Sequence, residues 1–171
     1  MAYALQCVIA PAWALRPGRE FANAVVADLG HGLGLLPMTA ALFDEVRRDG
    51  GADPRFGPAY LFPAGFETVL AAWSAVDPVA YVEAEFFGGI GSQFAAVWRG
   101  GALTLGPLAL AEDEPWPAPG WSPISQALRE LGVSADGHYD EFDAIGLGRH
   151  RDVEDWVALG ADAGPAPTER R

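Results

Sequence analysis

The apolar segment from Tyr3 to Ala10 reads as a strand, with Tyr3, Leu5, Cys7 and Ile9 on one face. Pro11 and the Arg16-Pro17-Gly18 stretch end it. A second extended segment near Ala24 to Asp28 leads through the Gly30-His31-Gly32 turn to Leu33–Pro37. Thr39 then stands as N-cap to a short helix with Leu42, Phe43 and Val46 on its apolar stripe, ending at Gly50-Gly51. The Pro- and Gly-bearing stretch from Asp53 to Gly65 reads as loop. Phe66, Val69, Leu70, Trp73 and Val76 follow at the spacing of one helix face, the strongest helical signal in the chain, and Asp77-Pro78 closes it.

Next comes a three-stranded meander over about 79–105. Its strands are Val79 to Phe87, Ser92 to Arg99 and Ala102 to Leu105. Gly100-Gly101 supplies the two left-handed positions that a tight hairpin demands. With Gly88-Gly89-Ile90-Gly91 as a four-residue loop, Glu85 pairs with Phe94, Glu83 with Ala96 and Tyr81 with Trp98. One face then carries Tyr81, Glu83, Glu85, Phe87, Phe94, Trp98 and Leu103. The other carries Val82, Ala84, Phe86, Ala95 and Val97, a smooth apolar surface that calls for a helix.

Ala111 to Gly120 is acidic, holds three prolines and reads as an extended surface connection. Ser122-Pro123 opens a helix with Ile124, Leu128 and Leu131 on its buried stripe, and Gly132 stops it. A last helix over about 151–159 buries Val153, Trp156 and Val157. The order of elements predicts an α+β fold, with a mainly antiparallel sheet and helices packed on one face. Residues 1–160 read as a single domain and 161–171 as a flexible tail.

Charge changes the picture. All eleven basic residues are arginine, and net charge is −12. The simplest source of an arginine-only chain is a GC-rich bacterial genome. Residues 1–111 hold 10 acids and 6 arginines, whereas residues 112–162 hold 12 acids and 3 arginines. No basic cluster exists to neutralise phosphates, which argues against nucleic acid and anionic membranes as partners. An acidic surface suits a basic protein partner instead. Cys7 stands alone, so no disulfide or metal–thiolate site is expected. The N-terminus lacks a basic region before its apolar stretch, and no run of about 18 apolar residues exists. The expected location is therefore cytoplasmic.

The candidate chemistry sits on the mixed face of the meander. Glu83 and Glu85, two apart on one strand, lie ~6–7 Å apart on the same side. That touches the lower end of the ~6.5–9.5 Å range of inverting glycosidases. Rings beside a carboxylate raise its pKa and also suit a cation. The candidate ligand- or partner-binding residues are thus Tyr81, Glu83, Glu85, Phe94 and Trp98, with Gln93 and its neighbour Ser92 at the exit of the glycine loop. Against them stands a plain reading, in which the two glutamates are hydrated or paired with Arg99 or Arg55. The Gly88–Gly91 run precedes a strand, not a helix, and no lysine accompanies it, so a phosphate loop is not expected. His138, Asp140, Glu141 and Asp143 have the consecutive spacing of a polar loop, so neither metal nor cofactor is expected.

The segment Tyr81-Val82-Glu83-Ala84-Glu85-Phe86-Phe87-Gly88-Gly89-Ile90-Gly91-Ser92-Gln93, with Trp98 following, resembles a family of small bacterial proteins without an assigned activity. The stretches Gln6 to Pro11 and Asp143 to His150 are similar to the same group. A further likeness, in size and acidity alone, is to toxin-immunity proteins. The expectation is a protein-binding domain, immunity-like or inhibitory. The alternative is a small-molecule-binding protein or hydrolase that uses Glu83 and Glu85. A homodimer through an edge strand such as Ala102–Leu105 is a third reading.

Overall fold

A computed structural model describes residues 2–15, 20–47 and 56–162. Six strands form one sheet: β1 (Tyr3–Pro11), β2 (Ala27–Gly30), β3 (Leu33–Pro37), β4 (Val79–Phe87), β5 (Ile90–Arg99) and β6 (Ala102–Leu110). Their order is β2-β3-β1-β4-β5-β6, and every neighbouring pair is antiparallel. The fold is α+β, and β4–β5–β6 form the expected meander.

Two helical layers enclose the sheet. Helices α3 (Pro123–Glu130), α4 (Glu141–Ala144) and α5 (Val153–Asp162) lie on the apolar side. There Ile124, Leu128 and Trp156 pack with Val82, Ala84, Ala95 and Val97. Helices α1 (Ala40–Val46) and α2 (Phe66–Trp73) cover much of the opposite face, where Leu42, Phe66 and Leu70 meet Val8, Tyr81 and Trp98. Helices thus pack on the expected face and on the mixed one as well. The reason is that Tyr81, Phe94 and Trp98 present too much apolar area to leave in water.

Local signals explain most boundaries. Thr39 Oγ1 accepts from Leu42 N at 3.0 Å, and Ser122 Oγ accepts from Ser125 N at 3.3 Å. Helix α2 stops at Trp73, leaving Val76 75% exposed, so the fifth position of the predicted stripe drops out. Ser74 closes it, because Gly100 N donates to Ser74 O at 2.7 Å and Gly101 N to Ser74 Oγ at 3.1 Å. The hairpin thereby holds the helix end.

One register differs from the sequence reading. Gly88 (φ +59°) and Gly89 (φ +83°) alone make the β4–β5 turn, and Ile90 and Gly91 belong to β5. Glu85 therefore faces Ser92, Glu83 faces Phe94 and Tyr81 faces Ala96. Gly91 is a packing residue: a Cβ there would run into the Phe86 ring across the strand pair. The slip is two residues, so every side chain keeps its expected face. Strand β6 also runs beyond Leu105 to Leu110, past a bulge at Gly106 (φ +87°). The region 138–143, read as a polar loop, contains α4, capped by Asp140 Oδ1 accepting from Asp143 N at 2.9 Å. The expected helix stop at Gly50-Gly51, residue Arg55, and the tail from 163 on lie outside the described residues.

Candidate functional site

Antiparallel pairing sets Gln6, Glu83, Phe94 and Ala109 in one row across β1, β4, β5 and β6. Ala4, Glu85 and Ser92 form another row on the same face, toward the hairpin end. Over the other part of this face lies the segment 56–62. Phe56 stacks on Trp98 at 5.5 Å and on Phe62 at 4.6 Å, and Phe62 meets Tyr81 edge-on at 4.9 Å. Rings in these offset and edge-on arrangements add roughly 0.5–1.5 kcal/mol per pair beyond area burial.

Glu83 clasps that segment. Its Oε1 accepts from Tyr60 N at 2.6 Å and its Oε2 from Leu61 N at 2.8 Å. The Tyr81 hydroxyl stands 2.6 Å from Leu61 O and 3.2 Å from Glu83 Oε2, so its one proton serves either acceptor. Glu83 is only 6% exposed, and no cation touches it among the described residues. Burial pushes its carboxyl above the ordinary value, although the Leu61 and Tyr60 N–H groups and the Tyr81 hydroxyl pull the other way. Arg99, weighed as a partner for the glutamates, lies elsewhere: it donates to Glu130 O at 3.0 Å.

Where the segment ends, a hollow of about 350 Å³ opens. Gln6, Glu83, Glu85, Ser92 and Phe94 line it from the sheet, Pro58 and Tyr60 from the clasped segment, and Ala109 to Glu112 from the end of β6. Among the described residues three carboxylates border it, and no Arg, Lys or His does. Glu85 and Glu112 are exposed. A larger apolar trough, about 780 Å³ between Trp13 and α2, holds one carboxylate, Glu20, and no convergent polar set.

Of the residues read from the sequence, Glu83, Glu85 and Phe94 share the hollow. Gln93 borders it, but its side-chain carbonyl accepts from Ile124 N at 3.0 Å, fixing the start of α3. Tyr81 (0% exposed) and Trp98 (3%) lie on the same face beneath segment 56–62, away from the hollow. The structure adds Gln6, Pro58, Tyr60 and Glu112. Gln6 left one trace in the sequence, a lone polar residue inside the run from Ala4 to Ala10. The others lie in loops far along the chain and leave no such trace.

Cys7 is fully buried, and burial, with the nearby Glu83 charge, holds its thiol well above the ordinary value. It acts as a small apolar side chain. Among the described residues no group of three or more His, Cys, Asp or Glu is placed to hold a metal ion. No helix there is long and apolar enough to cross a membrane. No family model, curated protein or solved structure matches the chain.

Proposed function

We propose that this chain is a partner-binding domain whose Glu83–Glu85 hollow receives a cationic side chain from a basic protein, as an inhibitor or immunity protein would. One observation carries the reading: among the described residues, the 350 Å³ hollow bordered by Glu83, Glu85 and Glu112 has no positive charge in its lining. That volume falls in the range of about 300–1,000 Å³ found for ligand pockets. A guanidinium or ammonium supplies the countercharge that Glu83 lacks. It also brings donors for Glu85 and Gln6, and Tyr60 and Phe94 offer rings beside it. The net charge of −12 adds long-range attraction for a basic partner. The resemblance carried by residues 81–93 belongs to the same proposal, and so does a cytoplasmic setting, supported by a single buried cysteine.

A free small amine in the same hollow is the second reading, favoured by the hollow's volume. The hydrolase reading asks Glu83 to pass a proton to substrate, yet both its oxygens already accept main-chain N–H groups. Anchoring is the role this geometry supports for Glu83, and Glu85 is the free acid.

NMR titration with N-acetyl-arginine amide tests the reading. Shifts should centre on Ser92, Glu85 and Tyr60, weaken as salt rises, and fall away in Glu85→Gln at unchanged melting temperature. Shifts spread evenly over the acidic surface, or equal binding by Glu85→Gln, would sink the idea.

A further inference from the structure

The connection between β6 and α3 joins two hollows. Its first residues, Ala111 and Glu112, wall the one just described. Its last, Pro119 and Gly120, wall a second of about 370 Å³, together with Trp121, Arg129, Tyr139 and Glu141. The path between is pinned. Glu114 N donates to Ala111 O at 3.1 Å, and Glu114 Oε1 accepts from Ala111 N at 3.1 Å. Trp116 packs on Phe86 with centroids 5.6 Å apart, and Trp121 N donates to Ala118 O at 3.0 Å. The two hollows are thus held at a set distance.

The second hollow has the makings of an interface anchor. Trp121 is 65% exposed and Tyr139 64%, and both rings border one hollow. Trp, Tyr and Arg are the residue types that carry most binding energy where proteins meet. Arg129 stands over the Trp121 ring at 5.7 Å and bonds Gly120 O and, at 2.9 Å, Glu141 Oε1. The Glu141 side chain is more than nine-tenths buried, and its salt bridge holds Arg129 in place against the Trp121 ring.

From one hollow to the other run Glu85, Glu112, Asp113, Glu114 and Asp140. The one arginine on this path, Arg129, is already paired with Glu141. We infer that the path is one docking track, and that its occupant is an extended basic segment of a protein partner. Cationic side chains of that segment meet the first hollow and the acidic connection, and its far end rests on Trp121 and Tyr139. This rests on the reading of the first hollow as a cation site. The nine residues Glu112 to Gly120 that join the hollows reach at most about 30–32 Å, so ten extended residues, at about 33–36 Å, span the track.

Two probes test it, fluorescein-labelled nona-arginine by anisotropy and N-acetyl-arginine amide by NMR. The pair Trp121→Ala with Tyr139→Ala should weaken the peptide about tenfold yet leave the amide within about twofold. Glu112→Gln with Asp113→Asn should weaken the peptide far more than Glu154→Gln with Asp155→Asn, the same charge change on α5. Equal losses from those two charge pairs overturn the track, as does a Trp121/Tyr139 variant that binds the peptide normally. Amide binding, lost in Glu85→Gln, reports on the first hollow separately: if it survives there, the cation site itself is wrong.

Discussion

Two glutamates in this fold are both nearly excluded from water, and their surroundings treat them oppositely. Glu83 is 6% exposed and Glu141 5%. Glu83 faces two main-chain N–H groups and a phenol, with no countercharge among the described residues, and burial wins, so its carboxyl is raised. Glu141 is also pushed up by burial, but the Arg129 hydrogen bond, its own backbone N–H and the Arg129 charge outweigh that, and its carboxyl is lowered. A partial dipole organises a carboxylate without neutralising it; a guanidinium does both. That difference leaves the described lining of the Glu83 hollow without a positive charge, whereas Glu141 already has its own. The first hollow is therefore the one suited to a cation, and the second, with Trp121 and Tyr139 exposed at its rim, to apolar and ring contacts.

The largest expected effect breaks the Glu83 side. Glu83→Ala strands the N–H groups of Tyr60 and Leu61 and frees the segment that covers Trp98. The expected loss is about 2–4 kcal/mol, read from urea unfolding. Glu83→Gln keeps one acceptor oxygen and should cost roughly half as much. On the other side, Arg129→Met leaves a buried carboxylate alone. Because Arg129 is 40% exposed and partly screened, the cost is put at about 1–2 kcal/mol, and the Glu141 carboxyl should move upward.

Acidity sharpens the contrast further. Glu83 titrates above the ordinary 4.5 in the folded chain, so its folded form favours the proton. Its contribution is full below 4.5 and is lost as pH rises through its folded pKa. Glu141 titrates below 4.5, so its contribution is full above that value and is lost as pH falls. The stability gap between the native chain and Glu83→Gln should therefore shrink from pH 4 to 7. The gap to Glu141→Gln should shrink from pH 5 to 3. Parallel curves would show that the two sites are alike after all. The smallest effect is expected of Glu85→Gln, within about 0.5 kcal/mol of native stability, because this exposed acid holds nothing in place.

Much of the architecture was legible along the chain because its rules are local. Thr39 and Ser122 cap helices through their own hydroxyls, and Gly100 (φ +60°) and Gly101 (φ +82°) turn the hairpin where their permissive backbone stands. The face assignment survived even a misjudged turn, since strand geometry repeats every two residues and the slip was two. What the chain alone did not disclose is which part of the mixed face stays open. That follows from segment 56–62, whose rings lie over Tyr81 and Trp98 and which leaves a hollow beside Pro58 and Tyr60, floored by the row from Gln6 to Phe94. The grip on that segment is made by main-chain N–H groups. Every residue except proline carries one, so no pattern of side chains announces it. Sequence by itself settled strand period, helix caps, the Gly100-Gly101 turn and charge, which depend on near neighbours. Only the tertiary structure decided that Glu83 is a buried anchor and Glu85 a free acid, because that outcome depends on which distant backbone comes to rest against each.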